Sequence, residues 1–125
     1  MLEVGNKLTK EYVVTSEMTA KVLKSGDLEV LATPILVSFM EDTSKELVRP
    51  DLETSSTTVG SKIDCSHLAP TGVGRKVKVT SVLTEIDRRK LVFEITAVDE
   101  DEVVVGSATH IRYIVDVEKF MSKVK

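Results

Sequence analysis

The sequence lacks several features that mark particular protein classes. Its 125 residues include a single cysteine, Cys65, so neither an internal disulfide nor a cysteine-rich zinc cluster can form. It has no run of about 18 apolar residues, and residues 1–12 lack the apolar core of a signal peptide. The formal net charge of −3 provides no basic excess of the kind that nucleic-acid-binding proteins carry. We therefore expect a cytoplasmic protein without a metal centre that binds neither nucleic acid nor membrane.

The residues that are present suffice for one folded domain. Hydrophobic residues make up 42% of the chain, and a chain of this length can enclose one core but leaves little room for a second. No internal repeat or low-complexity tract interrupts it. We predict a single domain over residues 1–125.

Residues 28–49 form the only segment whose apolar residues recur at helical spacing for more than three turns. Thr33 and Pro34 predict its start, because a threonine hydroxyl can cap free amides and a proline in the first turn lacks only an N–H that needs no partner. Arg49 followed by Pro50 predicts its end. A wide apolar arc needs cover around most of the helix, as when a sheet wraps round it. The arc comprises Leu36, Val37, Phe39, Met40, Leu47 and Val48.

Alternating apolar and polar residues predict strands on both sides of this helix. The predicted strands cover residues 12–14, 58–67, 76–85, 90–98 and 103–117. In the second of these, a strict period of two places Val59, Ser61, Ile63, Cys65 and His67 on one face and Thr58, Gly60, Lys62, Asp64 and Ser66 on the other. The predicted fold class is α+β, an antiparallel sheet of about five strands with one helix packed on it.

Several residues occur at matched spacing within this order of elements. They are Ala32 and Thr33 at the start of the helix, Met40 and Glu41 further along it, Gly60, Ser66 and His67 in the next strand, Thr109 to Arg112 in the last strand, and Glu118 to Phe120 after it. With these residues the chain resembles hotdog-fold acyl-CoA thioesterases and dehydratases, and most of all the branch that contains the fluoroacetyl-CoA thioesterase. The likeness extends over nearly the whole chain. It implies a sheet wrapped round one central helix.

The resemblance also implies an active site. Thr33, Glu41 and His67 would act on the thioester, the main-chain amide of Gly60 would contact the thioester carbonyl, and Arg112 would lie near the substrate. Thioester hydrolysis needs a nucleophile or an activated water, a proton carrier for the departing thiol, and donors for the oxyanion. Glu41 would attack the carbonyl or orient a water, and His67 would carry the proton. The implied reaction converts a short or medium acyl-CoA to a free acid and coenzyme A, without a metal or bound cofactor.

Residues 25–31 depart from the pattern of this branch. The fluoroacetate-specific enzyme has an aromatic-rich segment just before its helix that covers the acyl pocket, and residues 25–31 contain no aromatic residue. The departure implies an acyl group other than fluoroacetyl.

The spacing of Thr33 and Glu41 predicts a second subunit. Eight residues along one straight helix span about 12 Å, so these two side chains cannot touch. Either the chain before Pro34 bends back, or a second subunit brings the groups together, as hotdog dimers do at their interface. We expect at least a homodimer, with its long strands paired edge to edge.

Each candidate residue also has a purely structural interpretation. Thr33 can be a helix cap, and Glu41 can form a surface ion pair with Lys45 four residues on. His67 can be a strand-end histidine bonded to a turn, and His110 can serve as a hydrogen-bond partner for the arginine two residues after it.

Two other functions and one substrate contact stay open at this point. The rival functions are a non-catalytic acyl-CoA-binding hotdog module and a hydroxyacyl thioester dehydratase. Basic residues cluster at positions 75–76, 88–90 and 119–125. One of these clusters can meet the 3′-phosphate of coenzyme A, and the sequence does not say which.

Overall fold

A computed structural model describes residues 1–125, which form five strands and three α-helices. The elements in chain order are β1 (Lys7–Val13), α1 (Ala20–Leu23), α2 (Thr33–Val48), β2 (Ser56–His67), β3 (Lys76–Asp87), β4 (Lys90–Asp99), β5 (Val104–Asp116) and α3 (Val117–Ser122). Short 3-10 turns occur at Ser16–Met18 and Arg49–Asp51.

The five strands form one antiparallel sheet in the order β1-β3-β4-β5-β2, so β1 and β2 are its edges. Helix α2 packs on one face of this sheet, and its apolar side chains join those of the strands in one buried cluster. The cluster includes Leu36, Phe39 and Met40 of α2 and Leu91, Phe93, Ile95 and Ala97 of β4. Burying each such large side chain contributes roughly 1.5–3 kcal/mol to the free energy of unfolding. The predicted α+β architecture is confirmed.

The start of α2 differs from the prediction in one respect that matters for the site. Its N-cap residue is Ala32, in an extended conformation and without a side-chain cap, and Pro34 lies in the first turn. Thr33 is the first residue of the helix itself, so the prediction that it caps the helix was wrong. Its hydroxyl is free to bond elsewhere. The helix ends at Val48, immediately before the predicted stop signal.

The buried face of α2 also contains two hydroxyl residues that apolar periodicity does not identify. Thr43 Oγ1 donates to the Phe39 carbonyl at 2.9 Å, and Ser44 Oγ donates to the Met40 carbonyl at 2.9 Å. Ser44 Oγ also lies 2.8 Å from Ser81 Oγ on β3. Because every one of these hydroxyls has a partner, the helix can bury polar groups against the sheet without a large penalty.

Several elements differ from the prediction. Strand β1 begins at Lys7, five residues before its predicted start, because Lys10 interrupts the face that Leu8 and Tyr12 share and hides the alternation. The short helix α1 was not predicted. Helix α3 replaces the predicted end of the last strand, since the Asp116 side chain accepts a hydrogen bond from the Lys119 amide at 3.1 Å and caps a new helix. None of the helices has the length and apolar character needed to cross a membrane.

Candidate active site

A β-bulge in β2 decides which of its residues face α2. Gly60 pairs with Arg112 of β5, and Lys62 pairs with Ile111, so Ser61 is an extra residue with no partner of its own. Such an insertion shifts the in-and-out alternation of a strand by one residue. The pattern before Ser61 is therefore out of phase with the pattern after it.

The bulge corrects the strict alternation predicted for this strand. Thr58 and Gly60 before the bulge lie on the same face as Ile63, Cys65 and His67 after it, because they lie opposite residues that share one face of β5. The prediction that Gly60 lies on the opposite face from His67 was wrong. All five residues face α2, and the two candidate site residues among them lie along one line.

The Glu41 carboxylate lies over Gly60, near the middle of α2. A β-carbon at position 60 would lie 3.1 Å from Glu41 Oε2, so the absence of a side chain keeps this approach open. Arg112 Nη1 lies 4.0 Å from the same oxygen. The Glu41 side chain is 42% exposed, whereas that of Arg112 is only 7% exposed. The carboxylate is therefore within reach of a ligand, while the cation beside it is held in place.

Hydrogen bonds to Thr58 and His110 fix the Arg112 guanidinium. Its Nε donates to Thr58 Oγ1 at 2.8 Å, and its Nη2 donates to the Thr58 carbonyl at 2.9 Å. Its Nη1 lies 3.2 Å from His110 Nε2, which must be the acceptor because a guanidinium offers only donors. His110 therefore carries its proton on Nδ1, which donates to the Lys62 carbonyl at 2.8 Å.

The environment of His110 favours this neutral form. Burial lowers the pKa of His110; the Lys62 carbonyl opposes that effect, and the nearby Arg112 charge lowers the pKa further. The bulge at Ser61 thus connects to Glu41 through two side chains, His110 and Arg112.

Thr33 and His67 form a second pair at the N-terminal end of α2. Thr33 Oγ1 lies 2.7 Å from His67 Nδ1, and His67 Nε2 is buried without a hydrogen-bond partner in the chain. Burial lowers the pKa of His67, and the neighbouring main chain at Ala69 offsets part of that shift. The imidazole is neutral near pH 7 and can accept a proton. Its unpartnered nitrogen is the atom at which it can do so.

A cleft of about 300 Å³ opens beside this pair and is lined by Thr33, His67 and mainly apolar residues. The apolar side of the cleft consists of Ala20, Val30, Leu31, Leu68, Ala69 and Pro70. Residues 25–31, which lack aromatic side chains, contribute Ser25, Val30 and Leu31 to the lining. The cleft therefore offers an aliphatic surface next to a potential proton acceptor.

Within one protomer the structure does not bring all the candidate residues together. Thr33 and Glu41 lie on the same uninterrupted helix, about 12 Å apart along its axis. Gly60 and His67 are separated by roughly 20 Å along β2. A bend before Pro34 does not bring the Thr33 hydroxyl back to Glu41, because Thr33 is already part of α2. The Thr33–His67 pair and the group formed by Glu41, Gly60 and Arg112 are two separate half-sites.

The structure supports some of the purely structural roles considered for the candidate residues and not others. Lys45 pairs with Asp42 at 3.3 Å and Glu46 at 3.5 Å, so Glu41 does not form the expected surface pair with it. His67 bonds to Thr33, the first residue of α2, and the main chain of Ala69 after the strand also acts on its pKa, so a contact with the following loop accompanies the bond to the helix. His110 has the structural role considered for it, since both of its ring nitrogens are engaged within the chain. No three His, Cys, Asp or Glu side chains converge on a point that would hold a metal ion.

Sequence reasoning missed the polar support beneath Glu41. Thr58 was assigned to the wrong face because the bulge was not predicted, although a glycine within a strand often marks one. His110 and Arg112 are two residues apart in a strand and share a face, a spacing that indicated a possible contact. No sequence pattern indicates that the Lys62 carbonyl bonds to His110.

Comparisons with known proteins show the family to which this chain belongs. Residues 14–118 match the family model described as fluoroacetyl-CoA-specific thioesterase. The fluoroacetyl-CoA thioesterase of Streptantibioticus cattleyicolor is 34% identical over 131 aligned residues, which cover 99% of this chain and 93% of the relative. The crystal structure of a point mutant of the fluoroacetyl-CoA-specific thioesterase, in complex with fluoroacetate and CoA, matches with a TM-score of 0.90 at 31% identity, covering 95% of this chain and 99% of that one.

A more distant solved structure bears on the fold alone. A hot-dog-like protein from Thermanaerovibrio acidaminovorans matches with a TM-score of 0.86 at 20% identity, covering 96% of this chain and 88% of that one. The predicted hotdog fold, a five-stranded sheet with one long helix, is confirmed.

Proposed function

Because this chain belongs to the family of fluoroacetyl-CoA-specific thioesterases, we propose that Thr33, Glu41 and His67 are the residues with which it cleaves its substrate. The protein is an acyl-CoA thioesterase, a thioester hydrolase. Two observations carry the assignment: Glu41 is partly exposed beside Arg112, and Nε2 of His67 is buried without a hydrogen-bond partner in the chain. A reachable carboxylate stands beside a fixed cation, and a neutral imidazole has one ring nitrogen held by Thr33 and the other unengaged.

Glu41 is the group that starts the reaction. Its carboxylate either adds to the thioester carbonyl, giving a mixed anhydride and a thiolate, or removes the proton from an attacking water. In both routes the carbonyl oxygen gains negative charge. The main-chain amide of Gly60 donates to that oxygen, and Arg112 balances the charge of the group. The open space over Gly60 is what lets the carbonyl approach Glu41.

His67 is the proton carrier for the departing thiol. Thr33 holds Nδ1 at 2.7 Å and so orients the ring, which leaves Nε2 to take a proton and deliver it to the sulfur. The lowered pKa of His67 keeps this nitrogen available as an acceptor near neutral pH. In the water route the proton passes from the water through Glu41 to Nε2 and on to the sulfur, which gives coenzyme A and the free acid in one sequence. In the anhydride route the thiolate leaves first. Nε2 then takes the proton of a water that hydrolyses the anhydride and passes it to the thiolate, which releases the free acid and coenzyme A and restores Glu41.

The two half-sites meet across a homodimer. Strand β2 is a twelve-residue edge strand whose outer backbone groups have no partner within the chain, and such edges are usually paired or covered. Antiparallel pairing of β2 with a second copy, centred midway between Gly60 and His67, brings Gly60 of one protomer beside His67 of the other. The same pairing places Glu41 next to the imidazole that it lacks within its own protomer. Association of these dimers into a higher oligomer is compatible with this arrangement.

The substrate is a short or medium acyl-CoA. The aliphatic lining of the cleft beside His67 and the lack of aromatic residues at positions 25–31 support an acyl group other than fluoroacetyl. We further propose that residues 1–125 act as one thioesterase domain, without a bound cofactor, in the cytoplasm. The free thiol of Cys65 is compatible with that reducing compartment.

A thiol-release screen over a panel of acyl-CoA substrates tests the site assignment. We expect the wild-type protein to release thiol from short or medium acyl-CoA, and Glu41→Gln and His67→Ala to lower kcat by about 100- to 10,000-fold. Asp42→Asn, which removes the next carboxylate on the same helix, is the matched control and should retain kcat. Equal rates in the wild type and both site variants would rule out the assignment.

Thiol release, measured together with acyl-CoA binding and enoyl-CoA hydration, separates hydrolysis from the two rival functions. A non-catalytic binding module would bind acyl-CoA without releasing thiol, and Glu41→Gln would leave its affinity unchanged. A dehydratase would hydrate an enoyl-CoA faster than it releases thiol from it. The family match favours hydrolysis over both.

A further inference from the structure

The seventeen lysine and arginine side chains divide into two sets. Eight of them lie within 4.0 Å of a carboxylate of the chain, including Arg75 and Lys76 in one sequence cluster and Arg88 and Lys90 in another. The other nine have no such partner. They are Lys7, Lys21, Lys24, Lys62, Lys78, Arg89, Lys119, Lys123 and Lys125. The unpaired set contains the cations whose charge is available to a ligand.

Three of these unpaired cations line a single cleft. Arg89, Lys119 and Lys123 surround a space of about 380 Å³ between the end of β5, helix α3 and the turn between β3 and β4. Arg89 Nη1 donates to the Ile114 carbonyl at 3.3 Å, which ties its guanidinium to β5. Phe120 also lines the cleft and is 40% exposed. The cleft thus combines three cations with an accessible aromatic ring.

We propose that this cleft binds the nucleotide end of coenzyme A, a proposal that rests on the thioesterase function argued above. The diphosphate and the 3′-phosphate are anions, for which Lys119, Lys123 and Arg89 supply the counter-charge. Phe120 offers a face on which the adenine ring can stack. Of the three basic clusters in the sequence, the proposal selects residues 119–125, adds Arg89 from residues 88–90, and leaves out Arg75 and Lys76.

The distance from the thioester site agrees with this placement. Ser56 lines the cleft and precedes Gly60 by four residues in β2, a separation of roughly 13 Å. The chain that joins the thioester sulfur to the diphosphate of coenzyme A spans roughly 16 Å when extended, by standard bond lengths. A substrate whose carbonyl lies over Gly60 can therefore reach the cleft with its nucleotide.

Two carboxylates line the same cleft, and their negative charge opposes the binding of a phosphate. Asp116 accepts a hydrogen bond from the Lys119 amide as the cap of α3, which fixes the position of its carboxylate in the cleft. Glu53 has no cation within ion-pair distance, and it would repel a phosphate. Glu53→Gln should therefore lower KM for acyl-CoA by about twofold, because it removes a like charge from the cleft.

A comparison of two substrates tests the proposal. Acyl-CoA carries the nucleotide, and acyl-pantetheine with the same acyl group lacks it. We expect Lys119→Ala/Lys123→Ala to raise KM for acyl-CoA by about 5- to 20-fold with little change in kcat, and to leave KM for acyl-pantetheine within about twofold. The control Lys7→Ala/Lys78→Ala removes two unpaired lysines outside the cleft and should change neither KM. Raising the ionic strength should increase the wild-type KM for acyl-CoA more than that of the cleft variant.

Direct binding of adenosine 3′,5′-bisphosphate gives a readout independent of turnover. Calorimetry should detect binding to the wild type and to Lys7→Ala/Lys78→Ala, and several-fold weaker binding to Lys119→Ala/Lys123→Ala. An equal affinity in all three proteins, or a cleft variant that shifts KM equally for both substrates, would overturn the proposal. Hydrolysis of neither substrate, with selective nucleotide binding retained, would overturn the proposed function and leave the cleft assignment standing.

Discussion

The two half-sites on α2 differ in what each has and what each lacks. At the N-terminal end, Thr33 and His67 form a neutral pair with an unpartnered ring nitrogen beside an apolar cleft. About two turns further along, Glu41 brings a negative charge next to a fixed cation but has no proton carrier within its own protomer. Each half-site lacks the group that the other supplies.

The difference is the reason that the proposed mechanism uses two copies of the chain. A single straight helix keeps the two half-sites about 12 Å apart, and the extended β2 keeps their sheet residues further apart still. Antiparallel pairing of two β2 strands reverses one copy relative to the other. The proton carrier of one subunit then meets the carboxylate of its partner, so the proposed dimer interface and the active site are the same place.

Removing the cation should have the largest effect on the charged half-site. Arg112→Gln leaves Glu41 without its nearby cation and takes donors from Thr58 and His110, so we expect kcat to fall by 100-fold or more. The free energy of unfolding should fall by about 1–3 kcal/mol, because buried acceptors of Thr58 and His110 lose the donors that Arg112 supplies. Chemical denaturation and thiol release measure both effects. Arg49→Gln, an exposed cation paired with Glu46, is the control, and a fall in kcat no larger than that of the control would contradict the role of Arg112.

Thr33→Ala should weaken the neutral half-site by about 10- to 100-fold in kcat, because the ring of His67 loses the contact that orients it. Thr33→Ser keeps the hydroxyl and should retain most of the rate. The wild-type kcat/KM should fall at acidic pH only below the ordinary histidine pKa of 6.5, since burial lowers the pKa of His67 and the reaction needs its neutral form. An acidic limb above that value would argue against the assigned proton carrier.

His110 allows a finer test of how the charged half-site is held. His110→Gln places an acceptor near the position of Nε2 and should keep the contact with Arg112, whereas His110→Asn keeps only a donor towards the Lys62 carbonyl. We expect kcat to fall by about tenfold in His110→Asn and by less than threefold in His110→Gln. The reverse order would mean that His110 acts by supporting the bulge rather than by positioning Arg112.

Asp42 should have the smallest effect on the reaction. It accepts hydrogen bonds from Lys10 at 2.6 Å and Tyr12 at 2.7 Å, and lies within ion-pair distance of Lys45. Burial raises the pKa of its carboxyl, but the contacts with Lys10, Tyr12 and Lys45 outweigh burial and hold the pKa at about 2. Because this pKa lies below that of the unfolded chain, the stabilisation is present above pH 4 and is lost as the pH falls towards 2.

Asp42→Asn should therefore lower the free energy of unfolding by about 1 kcal/mol at pH 7, after allowance for solvent screening. The difference from the wild type should shrink as the pH falls below 4, and kcat should be unchanged. Urea denaturation at several pH values measures it, and a difference that grows in acid would contradict the sign of the pKa shift.

The sequence predicts the two half-sites to different extents. The long helix, the alternating strands and the positions of Thr33, Glu41 and His67 within them follow from local patterns that the structure repeats. The contacts that hold Arg112 beside Glu41 do not follow from local patterns. They depend on an extra residue, Ser61, which shifts the alternation of β2 by one residue. Gly60 is a local signal that a bulge is possible, but the position of the extra residue is set by pairing with β5.

The starts of α3 and α2 also could not be predicted from residue patterns alone. Ile114, Val115 and Val117 are apolar and β-branched on both sides of Asp116, and the capping bond from Asp116 marks where the last strand ends and α3 begins. Thr33 was predicted as a cap on residue type alone, whereas Ala32 holds that position because the preceding chain enters in an extended conformation. In each case the backbone conformation at the boundary, rather than residue type alone, decides where the helix begins.

Subunit complementation tests the account most directly. Glu41→Gln and His67→Ala protomers, each nearly inactive alone, are mixed, unfolded and refolded together so that mixed dimers form. If each active site takes Glu41 from one subunit and His67 from the other, a mixed dimer contains one intact site, and random assortment restores about one quarter of the wild-type thiol-release rate. If the mixture stays as inactive as the two variants alone while mixed dimers are shown to be present, the shared site is contradicted.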